Sequence, residues 1–189
     1  MSASMPAPTP APTPAPNGIT AAVKVFRRKY TKAGLDEIAI LEKIDPAHFG
    51  ATNLVQMQEA FSFEDHLCLA FGLHGCDLAE VTCDRPLPIE DVKQVARDCL
   101  LGLAAIHDAG LIHADMKPEN ILWCEQQQRA RIADLGNARD RIRTGAKIAT
   151  REYSPPEMLI GLPMKAPIDM WSLGCSLYEL LAGELLFDP

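Results

Sequence analysis

Between residues 88 and 110 the apolar side chains recur at steps of three and four. Val92, Val95, Cys99, Leu103 and Ile106 form one helical stripe. Glu90 and Asp91 fall in its first turn, where the helix dipole favours carboxylates, and Gly110 marks its end. A shorter stripe of Leu35, Ile38, Leu41 and Ile44 predicts a helix over "AGLDEIAILEKI". Ahead of it "ITAAVKVF" reads as a strand, and behind it "NLVQMQEAF" and "HLCLAFGL" read as two strands joined by a polar "SFED" turn. After the long helix come short strands around "NILW" and "ARIAD", a basic loop "NARDRIRTGAK", and an apolar helix "IDMWSLGCSLYELLAG" with Gly183 as its stop. The order is strand, helix, strand, strand, then a mainly helical part, which makes the chain α+β.

Residues 1–18, "MSASMPAPTPAPTPAPNG", break this pattern. A Pro/Ala/Thr repeat cannot build a core, so this segment is expected to be a disordered, stiff and extended tail and a candidate docking segment for a partner. The 189 residues as a whole are 48% hydrophobic, ordinary for a globular protein. A net charge of -7 argues against direct nucleic-acid binding, which needs clustered Lys and Arg. The basic run "VFRRKYTK" is expected to be a solvated strand end and loop. No apolar run approaches the roughly 18 residues of a membrane span and no signal peptide is evident, so an intracellular protein of the nucleus or cytoplasm, without membrane attachment, is expected. The six cysteines contain no CxxC pair and read as reduced, mostly buried thiols.

The chemistry is concentrated in "LIHADMKPENIL", which sets Asp115, Lys117 and Asn120 behind His113. Four fixed positions match a phosphotransfer catalytic-loop pattern, with a chance of roughly one in 160,000 per start if each residue type occurs at about 5%. Other motifs stand in the matching order: "AAVKV" with Lys24, Glu37 on the following helix, "ADLG" at Asp134, "SPPE" at Glu157 and "DMWSLGC" at Asp169. On these residues the chain from 20 to 189 resembles the eukaryotic protein kinases. "GLDEIAILEKI", "HLCLAF", "RIADLGNA" and "PIDMWSLGC" are similar to the CMGC branch that holds the SR-protein, pre-mRNA-processing, DYRK and HIPK kinases.

The resemblance implies a bilobal kinase fold, with residues 19–74 as small lobe and hinge and 75–189 as part of the large lobe. It implies ATP and Mg²⁺ as cofactors and Ser/Thr of a protein as acceptor. Lys24 would contact the nucleotide phosphates and pair with Glu37. Asp115 would orient the acceptor hydroxyl and take its proton, with Lys117 beside the transferred phosphate, and Asn120 and Asp134 would hold the metal through hard oxygen ligands. Ala22 and Leu122 match the positions that sandwich adenine. Phe71 matches the bulky residue at the back of the pocket, before a hinge of Gly72, Leu73 and His74. Asp169 matches the residue that fastens the catalytic loop. Lys117 together with Thr150 is similar to the Ser/Thr rather than the tyrosine pattern, and the branch hints at basic or Arg/Ser-rich substrates.

The chain also departs from the family. Ala114 replaces the usual Arg before the catalytic Asp, Lys147 stands where an activating tyrosine occurs, and Ser154 and Gly72 stand where Arg and Glu are common. Upstream of Lys24 there is no GxGxxG, and the sequence stops shortly after the helix carrying Asp169, so the fold is expected to be incomplete at both ends. The missing lid leaves a second, non-catalytic reading open: a pseudokinase-like interaction module. The full set of Lys24, Asp115, Asn120 and Asp134 argues for the enzyme.

Overall fold

A computed structural model describes residues 21–44, 53–83, 85–140 and 150–188. The Pro/Ala/Thr tail expected over 1–18 and Lys147 lie outside the described residues.

Strand β1 (Ala21–Phe26) leads through a 3-10 turn into helix α1 (Thr31–Leu41), followed by β2 (Met57–Phe63) and β3 (His66–Gly72). The strands form an antiparallel sheet ordered β1-β3-β2. The central strand is the most apolar of the three, and its Cys68, Leu69 and Ala70 are buried. β2 runs further into "SFED" than its polarity suggests: Phe63 pairs with His66, and only Glu64 and Asp65 form the turn. Both have positive φ, 45° and 63°, the backbone that lets a two-residue hairpin follow the strand twist. The basic run is solvated as expected, with Arg28 paired to Asp65 at 2.8 Å.

Helix α1 corrects one expectation. Its inward face carries Gly34, Glu37 and Leu41, with Ile44 buried just beyond, whereas Leu35 is 50% exposed. Leu41 and Ile44 are buried as expected, but in the first turns the buried positions lie one residue back from the apolar ones, Gly34 for Leu35 and Glu37 for Ile38, because this helix turns a glycine and a carboxylate toward the sheet.

The second part opens with β4 (Cys76–Asp77) and α2 (Leu78–Thr82), whose N-cap Asp77 accepts the Glu80 N–H at 2.8 Å. Helix α3 (Ile89–Asp108) buries the predicted stripe of Val92, Val95, Cys99, Leu103 and Ile106. At its end Gly110 has φ 72°, its N–H reaches the His107 carbonyl, and Leu111 N–H reaches Ile106, a Schellman cap that turns the chain sharply into residues 111 to 120. β5 (Ile121–Cys124) and β6 (Arg129–Ile132) join β4 in a second antiparallel sheet, ordered β4-β5-β6. A short α4 (Pro156–Leu159) precedes α5 (Pro167–Ala182), which stops at Gly183 with φ 77°.

One core joins both parts. Leu41, Ile44 and Leu54 pack with the α3 stripe and with Met116, Ile121, Trp123 and Ile132. At the junction Leu54 bridges Ile132, with Val55 N–H donating to the Ile132 carbonyl and Ile132 N–H to the Asn53 carbonyl. Side chains reinforce it: fully buried Asp98 of α3 accepts from Ala130 N–H at 2.8 Å, from Gln94 and from Arg129, and Arg129 also donates to Asn53 Oδ1 at 2.9 Å. The cysteines are all free, but only Cys68, Cys99 and Cys175 are buried; Cys76 and Cys83 are exposed and Cys124 is half-buried. Among the described residues no helix is long and apolar enough to cross a membrane.

Replacing Asp98 with Ala leaves the Ala130 N–H buried without an acceptor. Asp98→Ala is expected to lower unfolding free energy by about 2 kcal/mol, the cost of one stranded buried polar group. Urea denaturation should show a lower midpoint with unchanged slope.

Candidate active site

The two sheets face each other across a cleft of about 360 Å³. From the first sheet and α1 it is lined by Ala22, Lys24, Glu37, Phe71 and Gly72; from the second part by Asn120, Leu122 and Asp134. Eight of the residues singled out in the sequence thus meet in one place. Leu73 and His74 do not line it: Leu73 is 61% exposed, and His74 lies beside the cleft with its basicity lowered by burial and the nearby Arg131 charge. Val23, Val55, Glu119 and Ala133 complete the walls. Sequence reading missed these four, since an apolar or acidic residue at such places looks the same as ordinary core or surface.

Lys24 is the hub of the charged end. Its Nζ donates to Glu37 Oε2 at 2.7 Å and Oε1 at 3.0 Å, and to Asp134 Oδ1 at 2.7 Å. Burial alone would lower the Lys24 pKa, but the bonds and charges of Asp134 and Glu37 outweigh it and raise it. The two carboxylates differ. Glu37 is buried beneath α1, and its desolvation raises its pKa in spite of Lys24. Asp134 is nearer to water, and Lys24 overcomes its partial burial to hold it below the usual carboxylate value. Asp134 sits at φ 56° and accepts the Gly136 N–H at 3.3 Å, starting a 3-10 turn. A Cβ at Gly136 would lie 3.1 Å from both Asp134 Oδ1 and Glu37 Oε2, so the bare glycine is what lets this turn approach the pair.

Asp115 occupies the floor beyond. Its carboxylate accepts from Thr150 Oγ1 at 2.9 Å, Thr150 N–H at 3.2 Å and Asn137 Nδ2 at 3.3 Å, while Lys117 Nζ stands 3.5 Å away and donates to Thr150 Oγ1 at 2.9 Å. Asn120 donates its amide to the Asp115 carbonyl at 2.7 Å, which fixes the loop. Asn137 lies within the "RIADLGNA" motif, but its contact with Asp115 becomes visible only in three dimensions. Thr150 is itself held through its neighbours: Tyr153 Oη donates to Glu179 at 2.6 Å and Ser172 Oγ to the Tyr153 carbonyl at 2.8 Å, fastening residues 150 to 154 to α5.

The loop is pinned from below by Asp169. This fully buried carboxylate accepts His113 N–H at 2.9 Å, Ala114 N–H at 2.8 Å and His107 Nε2 at 2.8 Å. Ala114 has φ 68°, a conformation that costs a non-glycine residue about 1–3 kcal/mol and persists only when its surroundings enforce it. His113 adds a second restraint: its Nδ1 accepts the Asp115 N–H at 3.3 Å, so Nε2 carries the proton and donates to the Ala133 carbonyl at 3.1 Å.

The cleft walls are apolar and one end is ionic. Asn120 and Asp134 present hard oxygen donors to the same space, a chemistry that fits a magnesium ion shared with phosphates. Among the described residues no cluster of three or more His, Cys, Asp or Glu side chains forms a self-contained metal cage.

The sequence of this chain matches a model described as the protein kinase domain over residues 14–189. It is similar to the serine/threonine-protein kinase prp4 of Schizosaccharomyces pombe, 33% identical over 177 residues covering 89% of this chain and 37% of that protein. It is likewise similar to homeodomain-interacting protein kinase 1 of Caenorhabditis elegans, 34% identical over 88% of this chain and 21% of the relative. A dual specificity protein kinase YAK1 homolog of Arabidopsis thaliana is 38% identical over 88% of this chain and 18% of its own length. The chain therefore spans well under half the length of these relatives.

The depressed Asp134 pKa generates a sign-specific test. Its stabilising contribution is present above its ordinary value of 3.8 and is lost as pH falls through the lower folded-state value. The stability gap between the wild type and Asp134→Asn is expected to be constant near neutral pH and to close below pH 3.8, which denaturation midpoints measured down the acid limb will show.

Proposed function

The chain belongs to the protein kinase domain family, in its CMGC group, and on that premise we propose that it carries an ATP-dependent centre for phosphoryl transfer to Ser and Thr of protein substrates. The observation that carries the reading is the convergence of Lys24, Asp134 and Asn120 on one apolar-walled cleft, with Asp115 beside it.

In this reading adenine lies between Ala22 and Leu122 with Phe71 behind it, and the backbone of Gly72, Leu73 and His74 forms the polar edge of the hinge. The small lobe ends at residue 74. Lys24, held by Glu37, contacts the phosphates. Asn120 and Asp134 hold the Mg²⁺, which when bound neutralises phosphate charge. Lys24 and Asp134 are in direct contact, so their charges offset one another until nucleotide enters.

Asp115 takes the acceptor side. Its carboxylate is already ordered by Thr150, Asn137 and Lys117, so little reorganisation is needed to accept a hydrogen bond from a substrate hydroxyl. Lys117, 3.5 Å from Asp115, would offset the charge of the transferred phosphoryl group beside that hydroxyl. Because the phosphoryl transition state is loose, this positioning and charge neutralisation make up most of what the protein contributes. A basic or Arg/Ser-rich segment is the substrate class that the net charge of -7 favours, and the same charge disfavours nucleic acid. The Pro-rich residues 1–18 are a docking segment for a partner, and the free thiols fit an intracellular, nuclear or cytoplasmic setting.

Asp115→Asn is expected to lower turnover about 10²-fold or more, with nucleotide affinity close to wild type, because it alters the partner of the nucleophile and leaves the phosphate contacts in place. Steady-state kinetics on a basic Ser/Thr protein with Mg²⁺ and ATP check this, and phosphoamino-acid analysis should return phosphoserine and phosphothreonine. Phosphotyrosine as the main product, or turnover indifferent to Asp115, would overturn the reading.

A further inference from the structure

Helix α1 touches the first sheet at a residue with no side chain. A Cβ built on Gly34 would lie 2.6 Å from Leu67 Cδ2, 2.9 Å from Phe26 Cδ2 and 3.0 Å from Phe26 Cγ. Each is closer than van der Waals contact allows. The tip of Leu67 can swing away. Phe26 Cγ is one bond from Cβ and moves only with the whole ring or with the strand.

This contact is in register with the ion pair. Gly34 and Glu37 are three residues apart, hence on one face of α1. Phe26 and Lys24 are two apart on β1, hence on one side of the strand. Gly34 therefore seats on Phe26 where, one turn on, Glu37 seats on Lys24. The two layers also touch within the sheet, since Lys24 Nζ lies 5.3 Å from the centre of the Phe26 ring. Any extra volume at residue 34 must move either the helix that carries Glu37 or the ring that supports Lys24. Helix propensity gives no reason for glycine inside an 11-residue helix, where it is the poorest choice after proline.

We propose that Gly34 is a positioning residue: its bare α-carbon against Phe26 sets the separation between α1 and the sheet at which the Glu37 carboxylate reaches the Lys24 ammonium. The proposal rests on the phosphotransfer reading for its consequence in turnover, and on geometry alone for the ion pair.

The test reads Lys24 directly. The full chain is treated with N-hydroxysuccinimidyl acetate at mildly alkaline pH, and the acetylation rate of Lys24 is followed by peptide mass spectrometry. In the wild type the amine is engaged by Glu37 on one side and Asp134 on the other, so labelling is slow. Glu37→Gln and Gly34→Ala are each expected to speed it about tenfold, because each releases the amine from its charge-assisted hydrogen bonding to Glu37. In a Phe26→Ala background, where room exists for the methyl group, adding Gly34→Ala should change the rate little. Alanine's higher helix propensity offsets part of the overpacking cost, so a rise in Lys24 labelling that disappears in the Phe26→Ala background separates positioning from a general loss of packing. Should Gly34→Ala fail to fold, recovery of the fold in the Phe26→Ala background supports the proposal and continued failure overturns it. Unchanged Lys24 labelling in Gly34→Ala beside faster labelling in Glu37→Gln overturns it, as does an equal effect of Gly34→Ala in both backgrounds. Failure of the phosphotransfer reading is distinct: labelling that follows this pattern in a chain that transfers no phosphate supports the positioning role while removing that function.

Discussion

The site depends on one buried carboxylate. Asp169 has no access to water, and an ion there is costly unless every oxygen is met by a donor. Three donors meet it: the His113 and Ala114 amides and the His107 ring. In satisfying Asp169, these bonds hold Ala114 at φ 68°, a backbone that the next residue needs in order to lift its carboxylate toward Thr150 and Asn137. The constraint is therefore reciprocal. The loop supplies the donors that make a core aspartate tolerable, and the aspartate supplies the restraint that makes the loop conformation tolerable.

From that floor the structure builds upward through backbone contacts. The His113 ring ties Asp115 N–H to the Ala133 carbonyl and so connects the loop of residues 113 to 115 to the residue before Asp134. Ile132, one step further back, is bonded to Asn53 and Val55, which belong to the segment leading from α1 into β2. A displacement of the small sheet relative to α3 is thereby opposed at the same strand that delivers Asp134. Lys24 then closes the circuit across the cleft, with Glu37 on one side and Asp134 on the other. Its two partners differ because one is buried and the other is partly open to water.

Much of this was legible in the sequence because it is local. The stripe of α3 follows from helical period, and its Gly110 cap from the positive φ that glycine supplies. Lys24, Asp115, Asn120 and Asp134 stand out because they match residue types that phosphotransfer motifs fix at set spacings. Those same residues were found gathered, with Glu37, Ala22, Phe71 and Leu122, around one cleft or at its edge.

What tertiary structure alone decided concerns contacts between segments that share no spacing rule. Asn137 and Thr150 both fall in motifs the sequence shows, but that they reach the Asp115 carboxylate from 22 and 35 residues away is encoded by no pattern of period or propensity. The first turns of α1 face inward one residue away from their apolar positions, although Leu41 and Ile44 are buried as their spacing predicts, because hydrophobicity ranks Leu35 above Gly34 whereas the sheet selects by volume. A leucine can be left half in water at small cost, but nothing larger than hydrogen fits against Phe26 without displacing the ring, a tip of Leu67 or the helix itself. The sequence by itself determined which residue types the chemistry would use and the elements that carry them; close packing across those elements determined how near each charge comes to the next, since distance, unlike residue type, is a property of neighbours the chain meets only on folding.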